Sequence, residues 1–104
     1  MPSAQGTAFQ NSPAKITLVF DVEGRQVTFS ADLGISIQPF SVNTTTVTYN
    51  DVDDLTSTRS FTGQIGPGHI KLNFDNGTSV TGSLNPPGVS PVSMVAGSGT
   101  WQQD

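Results

Sequence analysis

The chain has no cysteine, a single histidine, and only four basic side chains against eight acidic ones. Without cysteine there are no disulfides and no thiolate metal sites. With one histidine as well, Cys–His nucleophilic sites and histidine-rich zinc sites are excluded within one chain. The four cations, Lys15, Arg25, Arg59 and Lys71, are scattered. Nucleic acid and anionic membranes both need clustered positive charge, so neither is an expected partner. No run approaches the roughly 18 apolar residues of a membrane helix. The opening Met1-Pro2-Ser3-Ala4-Gln5-Gly6 has neither a basic segment nor an apolar one. The expected location is therefore cytoplasmic, or secreted without a visible signal peptide.

What the sequence has instead is Ser, Thr, Asn, Gln and Gly, with 12% of residues charged. That balance suits antiparallel sheets with uncharged polar outer faces better than helices. No window shows convincing 3.6-residue periodicity, whereas alternation recurs. Residues 1–14 carry two prolines and no pattern, which predicts a flexible N-terminal arm ahead of a single domain over 15–104.

The clearest unit runs from Lys15 to Leu33. Ile16, Leu18, Phe20 and Val22 form one apolar row, and Val27, Phe29, Ala31 and Leu33 a second. A two-residue turn at Glu23-Gly24 sets Val22 against Arg25, Phe20 against Val27, Leu18 against Phe29 and Ile16 against Ala31, with both rows on one face. The next unit, His69 to Leu84, contains Asp75-Asn76-Gly77. A two-residue Asn-Gly turn would put Val80 on the wrong face. A three-residue loop with left-handed Gly77 pairs Leu72 with Val80, and burial at about 1.5–3 kcal/mol per side chain favours it.

Elsewhere the pattern predicts strands over 34–42 (Ile35, Ile37), 44–50, 58–65 and 92–101, a turn at Gly66-Pro67-Gly68, and an irregular proline-rich loop over 85–91. About eight short strands at intervals of some 8–13 residues indicate an all-β fold. A small antiparallel up-and-down β-barrel is favoured because closure removes exposed edges; a two-sheet β-sandwich is the alternative. No internal repeat suggests a propeller or trefoil. Inward candidates are Ile16, Leu18, Phe20, Phe29, Ile37, Phe61, Ile65, Ile70, Leu72, Phe74, Val80 and Met94.

Candidate chemistry is sparse. His69 shares a strand face with Lys71 and Asn73, opposite the apolar row, and is a ligand contact or simply an exposed residue after a turn. Asp51-Val52-Asp53-Asp54 reads as a calcium ligand set or, without the spacing of an EF-hand loop, as a turn whose carboxylates accept local hydrogen bonds. Trp101 and Tyr49 are each either plugs that seal the barrel or stacking platforms for a sugar ring. Asn43-Thr44-Thr45 and Asn76-Gly77-Thr78 match the glycosylation pattern. No catalytic residues, metal ligands or cofactor are expected.

Three functions fit. The first is a non-catalytic binding module for a neutral glycan or small amphipathic ligand, with Trp101, Tyr49, His69 and Asn73 as its contacts. The second is a small barrel enzyme of cyclase or isomerase type that acts on an apolar substrate by shape and orientation. It requires an open cavity of several hundred Å³ lined by the phenylalanine row. The third is a structural, self-assembling protein, a homo-oligomer touching through Val19 or the 85–91 loop.

Overall fold

The computed structural model describes residues 2–86, 88–89 and 92–103. Among these residues eight strands form one closed antiparallel barrel: β1 (Ser3–Ser12), β2 (Lys15–Val22), β3 (Arg25–Asp32), β4 (Ser41–Thr48), β5 (Ser57–Ile65), β6 (His69–Phe74), β7 (Ser79–Ser83) and β8 (Ser93–Gln103). The order around the barrel is β1-β2-β3-β8-β5-β6-β7-β4, closing on β1. Up-and-down order holds within β1–β3 and within β5–β7. Each of these meanders is completed by a fourth strand that returns beside its first, β4 beside β1 and β8 beside β5, so each half is a Greek key.

The two halves match in register as well as in order. Ile16, Leu18 and Phe20 of β2 correspond to Ile70, Leu72 and Phe74 of β6. At the seams between halves, Phe29 pairs with Trp101 and Ala31 with Gly99, as Val80 pairs with Val47 and Gly82 with Thr45. The two crossovers are held alike. Leu33 and Ile37 donate their N–H groups to the carbonyls of Ala14 (2.7 Å) and Pro13 (2.8 Å). Leu84 and Val89 donate theirs to Gly68 (2.9 Å) and Pro67 (3.1 Å). The barrel thus has an internal two-fold relation along its axis, with both crossovers at one end and the 49–56 connection at the other.

Both hairpin registers are as the alternation predicts. Val22 faces Arg25, Phe20 faces Val27, Leu18 faces Phe29 and Ile16 faces Ala31. Glu23 (φ 53°) and Gly24 (φ 82°) are both left-handed, as a type I′ turn requires. In the second hairpin Leu72 faces Val80, Phe74 donates to the Thr78 carbonyl, and Gly77 has φ 89°.

Three expectations are corrected. Residues 3–12 are not an arm but β1, paired to β2 and β4. Its inward positions carry Ala4, Gly6 and Ala8, too small to register as an apolar row, and a side chain at Gly6 would collide with the Val19 carbonyl. No strand spans 34–40. This segment crosses the barrel end, with Ile37 buried beneath it and Ile35 exposed. Met94 is not in the core but 68% exposed, because Val95, Gly97, Gly99 and Trp101 hold the inward parity of β8. The remaining inward candidates are all buried.

The interior is filled. Trp101 lies 4.5 Å from Phe29 and 5.4 Å from Phe74, ring centre to ring centre, and Phe29 and Phe74 meet edge to face at 5.0 Å. Aliphatic side chains complete the core towards the crossovers, where Leu33, Leu84 and Val89 close one end. Leu55 closes the other.

Candidate functional site

Trp101 and Tyr49 do not present ring faces to a ligand. Trp101 is 3% exposed and belongs to the central aromatic cluster, so it is a plug rather than a platform. Tyr49 is 4% exposed at the barrel rim. Burial, and then the negative charge of Glu23, hold its phenol above the ordinary value. His69 and Asn73 are exposed on the outer face of β6, as alternation predicts, but the four residues do not form one site. The phenylalanine row forms a packed core and not the wall of a chamber.

The acidic run is a turn. Asp51 Oδ1 accepts from Asp53 N–H (3.1 Å) and Asp54 Oδ2 accepts from Asp51 N–H (3.3 Å), capping the single 3-10 turn Val52–Asp54. Among the described residues no cluster of three His, Asp or Glu side chains is placed to hold a metal. The amide of Asn76 is also committed locally: it accepts from Thr78 N–H and donates to the Asp54 carbonyl. The Asn43 side chain, and residues 87, 90 and 91 of the proline-rich loop, lie outside the described residues.

A concavity of about 500 Å³ lies on the outer face of β2, β3, β8 and β5. Cross-strand register builds its floor. Thr17 faces Ser30, Ser30 faces Thr100, and Thr100 faces Thr58, giving one row of hydroxyls across four strands. Thr58 and Thr100 Oγ1 are 3.3 Å apart, and Thr17 donates to Asn11 Oδ1. A second row, one pleat along, holds Lys15, Asp32 and Ser98. Lys15 and Asp32 are directly opposite, so the groove carries both signs of charge and no net excess. Asp32 Oδ1 accepts the Gly34 N–H at 2.9 Å.

Beside this groove, directly opposite Thr17, stands Phe9 of β1, 46% exposed. Sequence reasoning missed it by assigning 1–14 to an arm. The signal was present, since Phe9 has the parity opposite to Ala8, whose small side chain faces the core. The equivalent row at the other seam runs Lys71, Thr81, Thr46, Gln5. There the long side chains of Lys71 and Gln5 stand in the places of Thr17 and Thr58.

Among the described residues no helix is long and apolar enough to cross a membrane. Comparison with protein-family models, with curated proteins and with solved structures gave no match.

Proposed function

We propose that the protein is a non-catalytic binding module for a neutral glycan, held on the outer face of the barrel across β2, β3, β8 and β5. The observation that carries this reading is the hydroxyl row Thr17–Ser30–Thr100–Thr58 with an exposed phenyl ring at its end. Each hydroxyl both donates and accepts, which matches the hydroxyls of a sugar without demanding a charge. The face of Phe9 offers the apolar contact that the C–H face of a pyranose needs. Among the groove-lining residues Asp32 is the one carboxylate. Glycoside cleavage ordinarily needs two flanking the bond, so the arrangement favours holding a sugar over cutting it.

Titration against immobilised neutral glycans tests the proposal. A Phe9→Ala variant should lose about 1–2 kcal/mol of binding, roughly a 5- to 30-fold weaker Kd, with its circular dichroism unchanged. Unaltered affinity in that variant, or no glycan bound by the native chain, refutes the proposal.

Self-association is a second reading with one observation in its favour. Ile35 and Met94 are exposed at the crossover end, where Gly34 lies against the Ala96 carbonyl. Sedimentation showing a monomer at every concentration removes it.

A further inference from the structure

Asn76 is followed by a glycine, whereas Asn11, Asn43, Asn50, Asn73 and Asn85 are followed by larger residues or proline. The pairing matters because an asparagine side chain can react with the backbone nitrogen of the next residue. That nitrogen attacks Cγ and closes a five-membered succinimide ring. The Cγ–Nδ2 bond breaks, and ammonia departs with the proton that the backbone nitrogen gives up through solvent. Water then opens the ring at either carbonyl. The product is aspartate, or isoaspartate, in which the chain runs through the side-chain carboxyl. A Cβ on the following residue shields the nitrogen and stiffens the chain, and glycine has none.

The folded loop restrains both reacting groups. Asn76 Oδ1 accepts the Thr78 N–H at 3.2 Å, and Nδ2 donates to the Asp54 carbonyl at 3.1 Å. The attacking group, Gly77 N–H, itself donates to the Phe74 carbonyl at 3.2 Å. Ring closure must swing Cγ onto the Gly77 nitrogen, so these bonds must open together. The loop nevertheless lies at the surface. Asn76 is half-buried, and Asp75 and Gly77 are exposed, so opening disturbs no core side chain. The reaction rate therefore follows the population of the open loop.

We propose that Asn76-Gly77 is a site of slow self-modification, which the folded loop holds back and which, once converted, unlatches the 49–56 connection from the second hairpin. Aspartate at 76 keeps an acceptor for the Thr78 N–H but loses the NH2 group that donates to the Asp54 carbonyl. Two oxygens then face each other where a hydrogen bond stood. The new charge joins Asp75 in its own loop and faces a connection that carries Asp51, Asp53 and Asp54, so like charges meet across the gap. Isoaspartate also lengthens the backbone by one carbon inside a tight loop. Leu55, which closes this end of the barrel, lies in the connection that is released. Nothing in the chain restores the amide, so the release runs one way.

The test is to age the intact chain in warm, mildly alkaline buffer, with and without denaturing urea, and follow each asparagine by peptide mass mapping. In urea Asn76 should convert ahead of the other asparagines. In the folded chain it should convert about tenfold or more slowly, as local opening must come first. Aspartate and isoaspartate forms are resolved by chromatography. The aged fraction and an Asn76→Asp variant should both show faster amide exchange across 49–56 and a lower urea midpoint than the native chain. Equal rates with and without urea, or no conversion at Asn76 in urea, would overturn the restrained-site part of the proposal. An aged fraction and an Asn76→Asp variant that match the native chain in exchange and midpoint would overturn the latch.

Discussion

Among the described residues, Thr45 Oγ1, Thr78 Oγ1 and Trp101 Nε1 are buried without a hydrogen-bond partner. Such a group forfeits its bonds to water and recovers nothing for them. Thr45 faces inward at 0% exposure, where Val47 and Val80 pair one step along the ladder. Thr45→Val keeps the shape and removes the orphaned hydroxyl, so the urea midpoint should rise by the equivalent of about 1 kcal/mol. A lower midpoint would show that the hydroxyl is satisfied in solution. The glycines facing the core act in the opposite sense. A side chain at Gly97 would sit 2.0 Å from the Asp32 carbonyl oxygen, which is fixed backbone. Gly97→Ala should therefore cost about 1–3 kcal/mol in chemical denaturation. Tyr49, the only tyrosine, titrates above its ordinary value of 10.0 because burial, then Glu23, disfavour the phenolate. For a raised acid, the stabilising effect is fully present below the unfolded value and is lost as pH rises through the folded one. Stability should thus fall in alkali above about pH 10, and Tyr49→Phe should remove that part of the fall. Absorbance titration of the single phenol reads the midpoint directly.

At the scale of elements, the second hairpin depends on one side chain. Asn76 ties its loop to the 49–56 connection through the Asp54 carbonyl at 3.1 Å and braces Thr78 N–H at 3.2 Å. Asn76→Ala should cost about 1–2 kcal/mol in thermal unfolding, as two half-buried hydrogen bonds are lost. Both hairpins were legible in the sequence to the level of register. In each, two apolar rows and one turn had to agree on a single buried face, and only one pairing satisfied them. The elements that were not legible have a common cause. Ala4, Gly6 and Ala8 carry the inward face of β1 without apolar bulk. The crossover over 34–40 alternates like a strand at Ile35 and Ile37, but only Ile37 finds cover. Phe9 could not be proposed as a contact until β1 had a face, whereas Trp101 and Tyr49 drew attention by residue type although their parity aims them inward.

The molecule as a whole is two copies of one topology. Ile-x-Leu-x-Phe-Asp occurs at residues 16–21 and again at 70–75, and both copies lead into a turn that is left-handed at a glycine. The recurrence was readable. The seams were not, because which strand closes on which depends on contacts between residues far apart in the chain. Strand termini and the 49–56 connection gather at one barrel end, where Gln103 Nε2 donates to the carbonyls of Val52 and Leu55, each at 3.0 Å. Three inter-strand steps separate β8 from β1, as they separate β4 from β5. A circular permutant that begins at Thr56 and joins residue 103 to residue 3 through a linker as long as the 49–56 segment should fold with a near-native circular dichroism spectrum. Aggregation of that permutant would mean that the halves are not equivalent in practice.

The 49–56 segment is also the only covalent tie between the two Greek keys. If it is shortened until it can no longer turn back at the barrel mouth, each key can still find a complementary one in a neighbouring molecule, with β3 of one copy docking on β8 of the other. Intertwined pairs with unchanged spectra and doubled mass are the expected product.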